Sequence, residues 1–315
     1  MTVGRATGLS HPGRRRRRNE DAWVCDPPIF AIADGMGGAR GGEIASRLAA
    51  GALGTEANGS GEDRVVALIQ EANRRVYERA EEDSAVSGMG TTITVAVVED
   101  DVVTIGHVGD SRAYLVRDGK LEQLTDDHTL VAELVRSGKL SPAEAEAHPQ
   151  RSVITRALGT DPDVDVDTFP VPARAGDLFM LCSDGLTSMV GDEAIEDVVE
   201  EHRSDLDAVA RGLVERANRS GGEDNITVVL FEIADDASPA PDDTARMDAL
   251  PAEVPTDDDE DTLSGLEGLR VPDEAVPVAA PEPVRRSRWR AILVLLLVLV
   301  ILLGAAAALY WALYL

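Results

Sequence analysis

Along residues 1–234 the apolar positions fall into two rhythms. Short runs rich in β-branched residues predict strands over 29–33, 91–98, 102–108, 112–116, 164–171, 177–182 and 227–233. Longer stretches with apolar residues three or four apart predict helices over 42–53, 64–81, 192–201 and 205–220. The strings VVEDDVV and LVRDGKLEQL each set a short polar turn between apolar runs, a hairpin signature, so the sheets should be largely antiparallel. Strands follow strands and helices come in pairs. That order speaks against an alternating βαβ chain and predicts an α+β domain.

The rhythm stops at residue 235. From 235 to 284 the chain carries 15 acidic residues against Arg246 and Arg270, with eight prolines and no aromatic residue. Such a segment has too little apolar surface to offset its charge and entropy, and a disordered linker is expected. As a coil of about 50 residues it would reach roughly 40 Å, and further with self-repulsion. Arg285, Arg286, Arg288 and Arg290 make a basic juxtamembrane segment over 285–290, and the nineteen residues 291–309 then read AILVLLLVLVILLGAAAAL without a charge. A helix of that length spans the roughly 30 Å of a bilayer's hydrocarbon core. Residues 291–315 are therefore expected to form one transmembrane helix, with Trp289 at one interface and Tyr310, Trp311 and Tyr314 at the other. Arginines on the N-terminal side alone put the folded domain in the cytoplasm, held at the cell membrane.

Charge narrows the partners. The formal net charge is −27, of which −18 falls on residues 1–234, so a general nucleic-acid binder is excluded and any phosphate must be met by a local basic spot. Cys25 and Cys182 stand far apart without metal-ligand spacing and read as core thiols in a reducing compartment.

The candidate chemistry begins at AIADGMGGARGGEIA, residues 31–45, where Asp34 ends an apolar run and glycines precede a helix. A Walker-type phosphate loop needs Lys and then Ser or Thr after its last glycine, and Glu43 and Ile44 stand there instead. A metal is the better reading of Asp34, because three more carboxylates sit at strand ends: Asp110 in GHVGDSRAYL, Asp184 in LFMLCSDGL and Asp224 in GGEDNITVVLF. Asp118-Gly119 reads as a plain turn. Carboxylates gathered at one sheet edge cannot all ionise without cations between them. Oxygen ligation without His or Cys selects hard ions, Mg²⁺ or Mn²⁺. Upstream, Arg14 to Arg18 run straight into Asn19, Glu20 and Asp21 in HPGRRRRRNEDAW, and a guanidinium fork beside a metal pair suits a phosphate.

Taken in order and spacing, GRRRRRNED, ADGMGG, GDSRAYL, CSDGL and GEDNITVV resemble the metal-dependent Ser/Thr protein phosphatases of type 2C, particularly bacterial ones, over residues 5 to about 234. The resemblance implies an α-β-β-α sandwich of two antiparallel sheets flanked by helix pairs, with a dinuclear centre at one end. It implies that Asp34 bridges both ions, that Asp184 and Asp224 hold the first, and that the Gly35 carbonyl contacts the second, with Glu20 acting there through water. Asp21 would stand outside the ligands, and Asp110 with Asp184 would suit a third, weaker ion. The family's phosphate-binding arginine stands four residues before the Glu and three after a Gly, which selects Arg16, with Arg15 and Arg17 as adjacent registers. Two divalent ions would generate a bridging hydroxide that attacks phosphorus in line, without a covalent phosphoenzyme. Where some relatives carry a His after the Asp-Gly pair as proton donor, this chain has Met36, leaving protonation of the leaving group to metal-bound water. His128 and His148 fall in the segment that forms a flap in such enzymes, and read as structural.

The leading expectation is a membrane-tethered phosphatase of phosphoserine and phosphothreonine proteins that opposes a Ser/Thr kinase. A silent phosphoprotein-binding scaffold and a dinuclear phosphatase of small molecules are the alternatives. The scaffold should lack a metal carboxylate, and none is missing.

Overall fold

The computed structural model describes residues 1–37, 41–55 and 59–235. The expected linker, basic segment and transmembrane helix lie outside them, and among the described residues no helix is long and apolar enough to cross a membrane. Strands β1 (Thr2–His11), β2 (Asp21–Asp26) and β3 (Ile29–Met36) lead to helices α1 (Gly41–Ala52) and α2 (Gly61–Glu82). Then follow β4 (Gly90–Thr91), β5 (Ile93–Glu99), β6 (Val102–Val108), β7 (Arg112–Arg117) and β8 (Lys120–Gln123). Two short helices, α3 (Leu130–Arg136) and α4 (Pro142–Glu146), precede β9 (Asp167–Pro172) and β10 (Leu178–Cys182). The domain closes with α5 (Asp184–Thr187), α6 (Asp192–His202), α7 (Leu206–Arg219) and β11 (Ile226–Ala234).

The strands form two antiparallel sheets, ordered β1-β11-β10-β7-β8 and β2-β3-β5-β6-β9, with β4 on the end of β3. Alternation along each strand sorts the side chains into layers. On β10, Phe179 and Leu181 face the other sheet, while Leu178, Met180 and Cys182 face α6 and α7. Across the sheet–sheet interface Phe231 stacks on Phe30, with ring centroids 4.0 Å apart, and within its own sheet it stacks on Phe179 at 5.1 Å. Burying an aromatic ring of this kind contributes about 1.5–3 kcal/mol. On the far face of the second sheet, Ala31, Ala33, Val95 and Val97 pack against Ala45 and Ala49 of α1 and Leu68, Ile69 and Ala72 of α2. The result is the expected α-β-β-α sandwich. Cys25 and Cys182 are free, and burial pushes both thiols up to about 12, so both are inert core groups.

Both expected hairpins form. Glu99 pairs with Val102 and Arg117 with Lys120, each across two residues, with Asp118 and Gly119 at φ 54° and 77°. Three expectations need correction. The run 91–98 is two strands, because the Thr92 N–H donates to the Asp34 carbonyl, 2.9 Å away, and its Oγ1 accepts from the Asp34 N–H at 3.0 Å. The strand expected over 164–171 begins at Asp167, where its ladder with β6 begins, and Val164 instead packs with the α2 cluster. β1, β2, α3, α4 and α5 have no counterpart among the expected elements.

Candidate metal centre

Register brings the acidic residues together. His11 pairs with Ile226 at one end of the β1–β11 ladder, so the arginine loop leaving β1 meets the 221–225 loop entering β11. Next door, Asp21 opens β2 directly across from Asp34 on β3. Asp184 stands two residues beyond β10, which runs antiparallel to β11, and Asp224 two residues before β11, so both lie at one sheet end. Asp110 follows β6 after Gly109.

Backbone fixes these positions. A Cβ on Gly35 would stand 2.0 Å from the Gly42 carbonyl oxygen and 2.6 Å from that of Glu20, so the end of β3 and the start of α1 meet backbone to backbone. Glycine is thus required where the sequence offered a choice between phosphate cradle and metal support, and it serves close packing beside Asp34. Gly13, at φ 74°, lies against the Asp224 carbonyl, to which an added Cβ would come within 2.1 Å. The N–H groups of Arg14 and Arg15 both donate to the Gly222 carbonyl, 2.7 and 3.2 Å away. Of the five arginines, Arg16 turns onto the acidic group, with Nη2 2.7 Å from Asp224 Oδ2.

The carboxylates behave as a crowded set. Desolvation, followed by repulsion among Asp21, Asp184, Asp110 and Asp224, holds Asp34 well above the usual carboxylate range. Desolvation likewise pushes Asp21 and Asp110 up to about 7 and Asp184 up to about 6, with neighbouring aspartates adding to each. Asp110 is buried, while Asp21, Asp34, Asp184 and Asp224 keep some exposed area. Burial also raises Glu20, against the opposing pull of Arg16.

A polar layer lies beneath. Asp21 Oδ2 accepts from Ser183 Oγ and Thr227 Oγ1 at 3.0 and 2.5 Å, while its Oδ1 is buried without a partner. Asn225 Oδ1 accepts from the Glu20 N–H at 2.7 Å, and its Nδ2 donates to the carbonyls of Pro12 and Arg18 at 3.1 and 2.9 Å. Sequence reasoning missed Ser183, Thr227 and Asn225. They are polar residues at the ends of otherwise apolar strands, where such residues ordinarily satisfy turns. The flap histidines are hydrogen-bonded: His128 Nδ1 accepts from the Gly109 N–H at 3.1 Å and its Nε2 meets Asp167 Oδ2 at 3.1 Å, while His148 Nδ1 accepts from the Gln150 N–H at 3.2 Å.

The donor set fits divalent ions. The donors are hard oxygens, a buried Asp21 carboxylate oxygen lacks a partner among the described residues, and the raised carboxylate pKa values mark crowded charge that cations would relieve. Among the described residues these carboxylates do not close into a ready-made ligand cluster. The Arg16 guanidinium on Asp224 offsets part of their charge instead.

Comparison with known proteins agrees with this architecture. The family model for protein phosphatase 2C matches residues 8–225. The serine/threonine phosphatase stp of Listeria welshimeri is 43% identical over 233 residues, covering 70% of this chain and 92% of the relative. The crystal structure of the Mycobacterium tuberculosis serine/threonine phosphatase PstP/Ppp superposes with a TM-score of 0.68 at 39% identity, covering 74% of this chain and 100% of that one. A PstP catalytic domain solved with 2 manganese ions gives 0.69 at 37% identity, covering 75% of this chain and 100% of that one. With the family model spanning both the arginine loop and the last aspartate, the chain belongs to the protein phosphatase 2C family.

Proposed function

We propose that the chain hydrolyses phosphoserine and phosphothreonine monoesters in proteins with two Mn²⁺ or Mg²⁺ ions, opposing a Ser/Thr kinase. The observation that carries the reading is the convergence of Asp34, Asp110, Asp184 and Asp224 at one end of the sandwich, with Arg16 at their edge. Asp34, Asp184 and Asp224 and the Gly35 carbonyl would hold the two ions, Glu20 would act through water, and Asp110 with Asp184 would take a third, weaker one. Bound there, divalent ions supply the charge that activates water for attack on phosphorus and offsets charge on the phosphate. Asp21 keeps its place behind Asp34 through Ser183 and Thr227. Arg16, released from Asp224, would grip two phosphate oxygens and follow the charge that develops on them. Its loop is already pinned by Gly222 and Asn225, so little ordering remains at binding. Names of relatives as Ser/Thr phosphatases support the substrate class. The apolar run 291–309 and its flanking arginines support tethering at the cytoplasmic face of a membrane.

The test is phosphate release from a phosphothreonine peptide with and without added Mn²⁺. Turnover that needs the metal is expected. Metal-dependent hydrolysis of phosphorylated metabolites with no activity on phosphopeptides would favour the small-molecule alternative.

A further inference from the structure

The five-arginine run does more than supply Arg16. Its backbone is held at both ends and in the middle: Asn225 Nδ2 donates to the Pro12 and Arg18 carbonyls, and the Arg14 and Arg15 N–H groups donate to the Gly222 carbonyl. On this loop Arg16, itself exposed, pairs with Asp224, while the equally exposed Arg15 and Arg17 lie on either side of it. Elsewhere in this acid-rich domain arginines find carboxylates: Arg5 and Arg203 with Glu232, Arg64 with Glu99, Arg112 with Asp127, Arg117 with Asp177. The side chains of Arg15 and Arg17 have neither an ion pair nor a hydrogen bond to any described residue. Two guanidiniums without a carboxylate partner among the described residues, beside Arg16 in a domain of charge −18, form a local positive spot where the rest of the surface repels anions.

We propose that Arg15 and Arg17 form a subsite for acidic side chains flanking the phosphorylated Ser or Thr, so that the preferred substrates carry Asp, Glu or a second phosphate within a few residues of the scissile one. The inference rests on the phosphatase reading and on Arg16 as the phosphate's partner. Geometry supplies the match. Arg15 and Arg17 flank Arg16 directly in a loop of turns and bends, and two residues of an extended bound peptide span about 7 Å. A carboxylate one to three positions from the phosphoresidue therefore falls within reach of the long side chains beside Arg16. A guanidinium fork receives a carboxylate or a phosphate with two parallel hydrogen bonds.

The experiment measures kcat/KM of the full chain, with Mn²⁺, on phosphothreonine peptides identical except for Glu, Gln or Lys on each side of the phosphoresidue. An exposed pair contributes about two- to five-fold. The wild type is expected to favour the Glu peptide over the Lys peptide by about ten-fold at low salt, falling to about two-fold near 0.5 M salt as screening removes the attraction. In the Arg15→Gln, Arg17→Gln double variant that ratio should fall to within two-fold at any salt. A flat flank profile in the wild type, with peptide turnover intact, overturns the subsite alone. A preference that survives the double variant does the same. Loss of p-nitrophenyl phosphate hydrolysis in the double variant would place these arginines on the reacting phosphate and overturn the proposal. Metal-dependent hydrolysis of that small ester with no turnover of any phosphopeptide overturns the subsite together with the protein-phosphatase reading.

Discussion

Asn225 is the residue whose removal best measures how the arginine loop is held. It makes three side-chain hydrogen bonds: from the Glu20 N–H at 2.7 Å, and to the Pro12 and Arg18 carbonyls at 3.1 and 2.9 Å. Each is worth about 0.5–1.5 kcal/mol net, so Asn225→Ala has a ceiling of about 4.5 kcal/mol. Pro12 and Arg18 are exposed and their carbonyls can regain water, whereas Asn225 itself is 4% exposed, so the expected loss is about 2–3 kcal/mol. For a domain of this size that lowers Tm by roughly 5–10 °C. The same change frees both ends of the segment carrying Arg16 and Glu20, leaving the Gly222 contacts as its anchor. A misplacement near 1 Å costs on the order of a hundred-fold in rate, and partial anchoring should hold the loss of kcat/KM on an aryl phosphate to roughly ten-fold or more. Asn225→Asp separates shape from donation. It still accepts from Glu20 but sets a carboxylate against two carbonyls, and should be no better than Ala. Calorimetric unfolding of the metal-free protein and steady-state kinetics at saturating Mn²⁺ read the two effects. A Tm within about 1 °C of wild type together with kcat/KM within two-fold would show that the loop does not depend on this side chain.

Three further outcomes are expected. Asp184→Asn should abolish turnover while the metal-free protein keeps or gains Tm, because the change deletes one of several crowded carboxylates without altering shape; near-wild-type activity at saturating metal would refute the dinuclear reading. With Asp21 and Asp110 pushed up to about 7 and Asp184 to about 6, the folded metal-free protein binds more protons than the unfolded chain above the usual carboxylate pKa of about 3.9. Its stability should therefore fall as pH rises through 6 to 7, and Mn²⁺ affinity, measured by titration calorimetry, should fall as pH drops from 7.5 to 5.5; a pH-independent affinity contradicts this. A chain ending at Asp235 should fold, remain in solution and match the full chain's kcat/KM on a small aryl phosphate within two-fold, whereas one ending before Ile226 should not fold, since β11 pairs with both β1 and β10. Altered kinetics on the small substrate would make the tail a regulator.

The sandwich was legible in the sequence wherever strands are buried on both faces. β5, β6, β10 and β11 carry nearly continuous apolar runs because one face meets the opposite sheet and the other meets helices. β1 was not legible: as an edge strand reading TVGRATGLSH it packs through a few positions and tolerates Gly, Arg and Thr. α3 and α4, of seven and five residues, are too short to show a helical period. The carboxylates were legible because an Asp ending an apolar run is out of place in a core. The layer beneath them was not. Ser, Thr and Asn beside strand ends ordinarily satisfy turns, and nothing local distinguishes Ser183 or Thr227, which hold Asp21 from 162 and 206 residues away in the chain.

The pairing of β1 with β11 also makes the domain a nearly closed ring. Thr2 lies across from Ala234, while nine residues of β11, about 30 Å of strand, separate that point from the cleft end at Asp224. Entry and exit of the chain therefore sit side by side at the pole away from the chemistry. Such a unit can be spliced into another protein, or circularly permuted by joining its ends and reopening the Asp118-Gly119 turn, without threading a connection past the catalytic mouth.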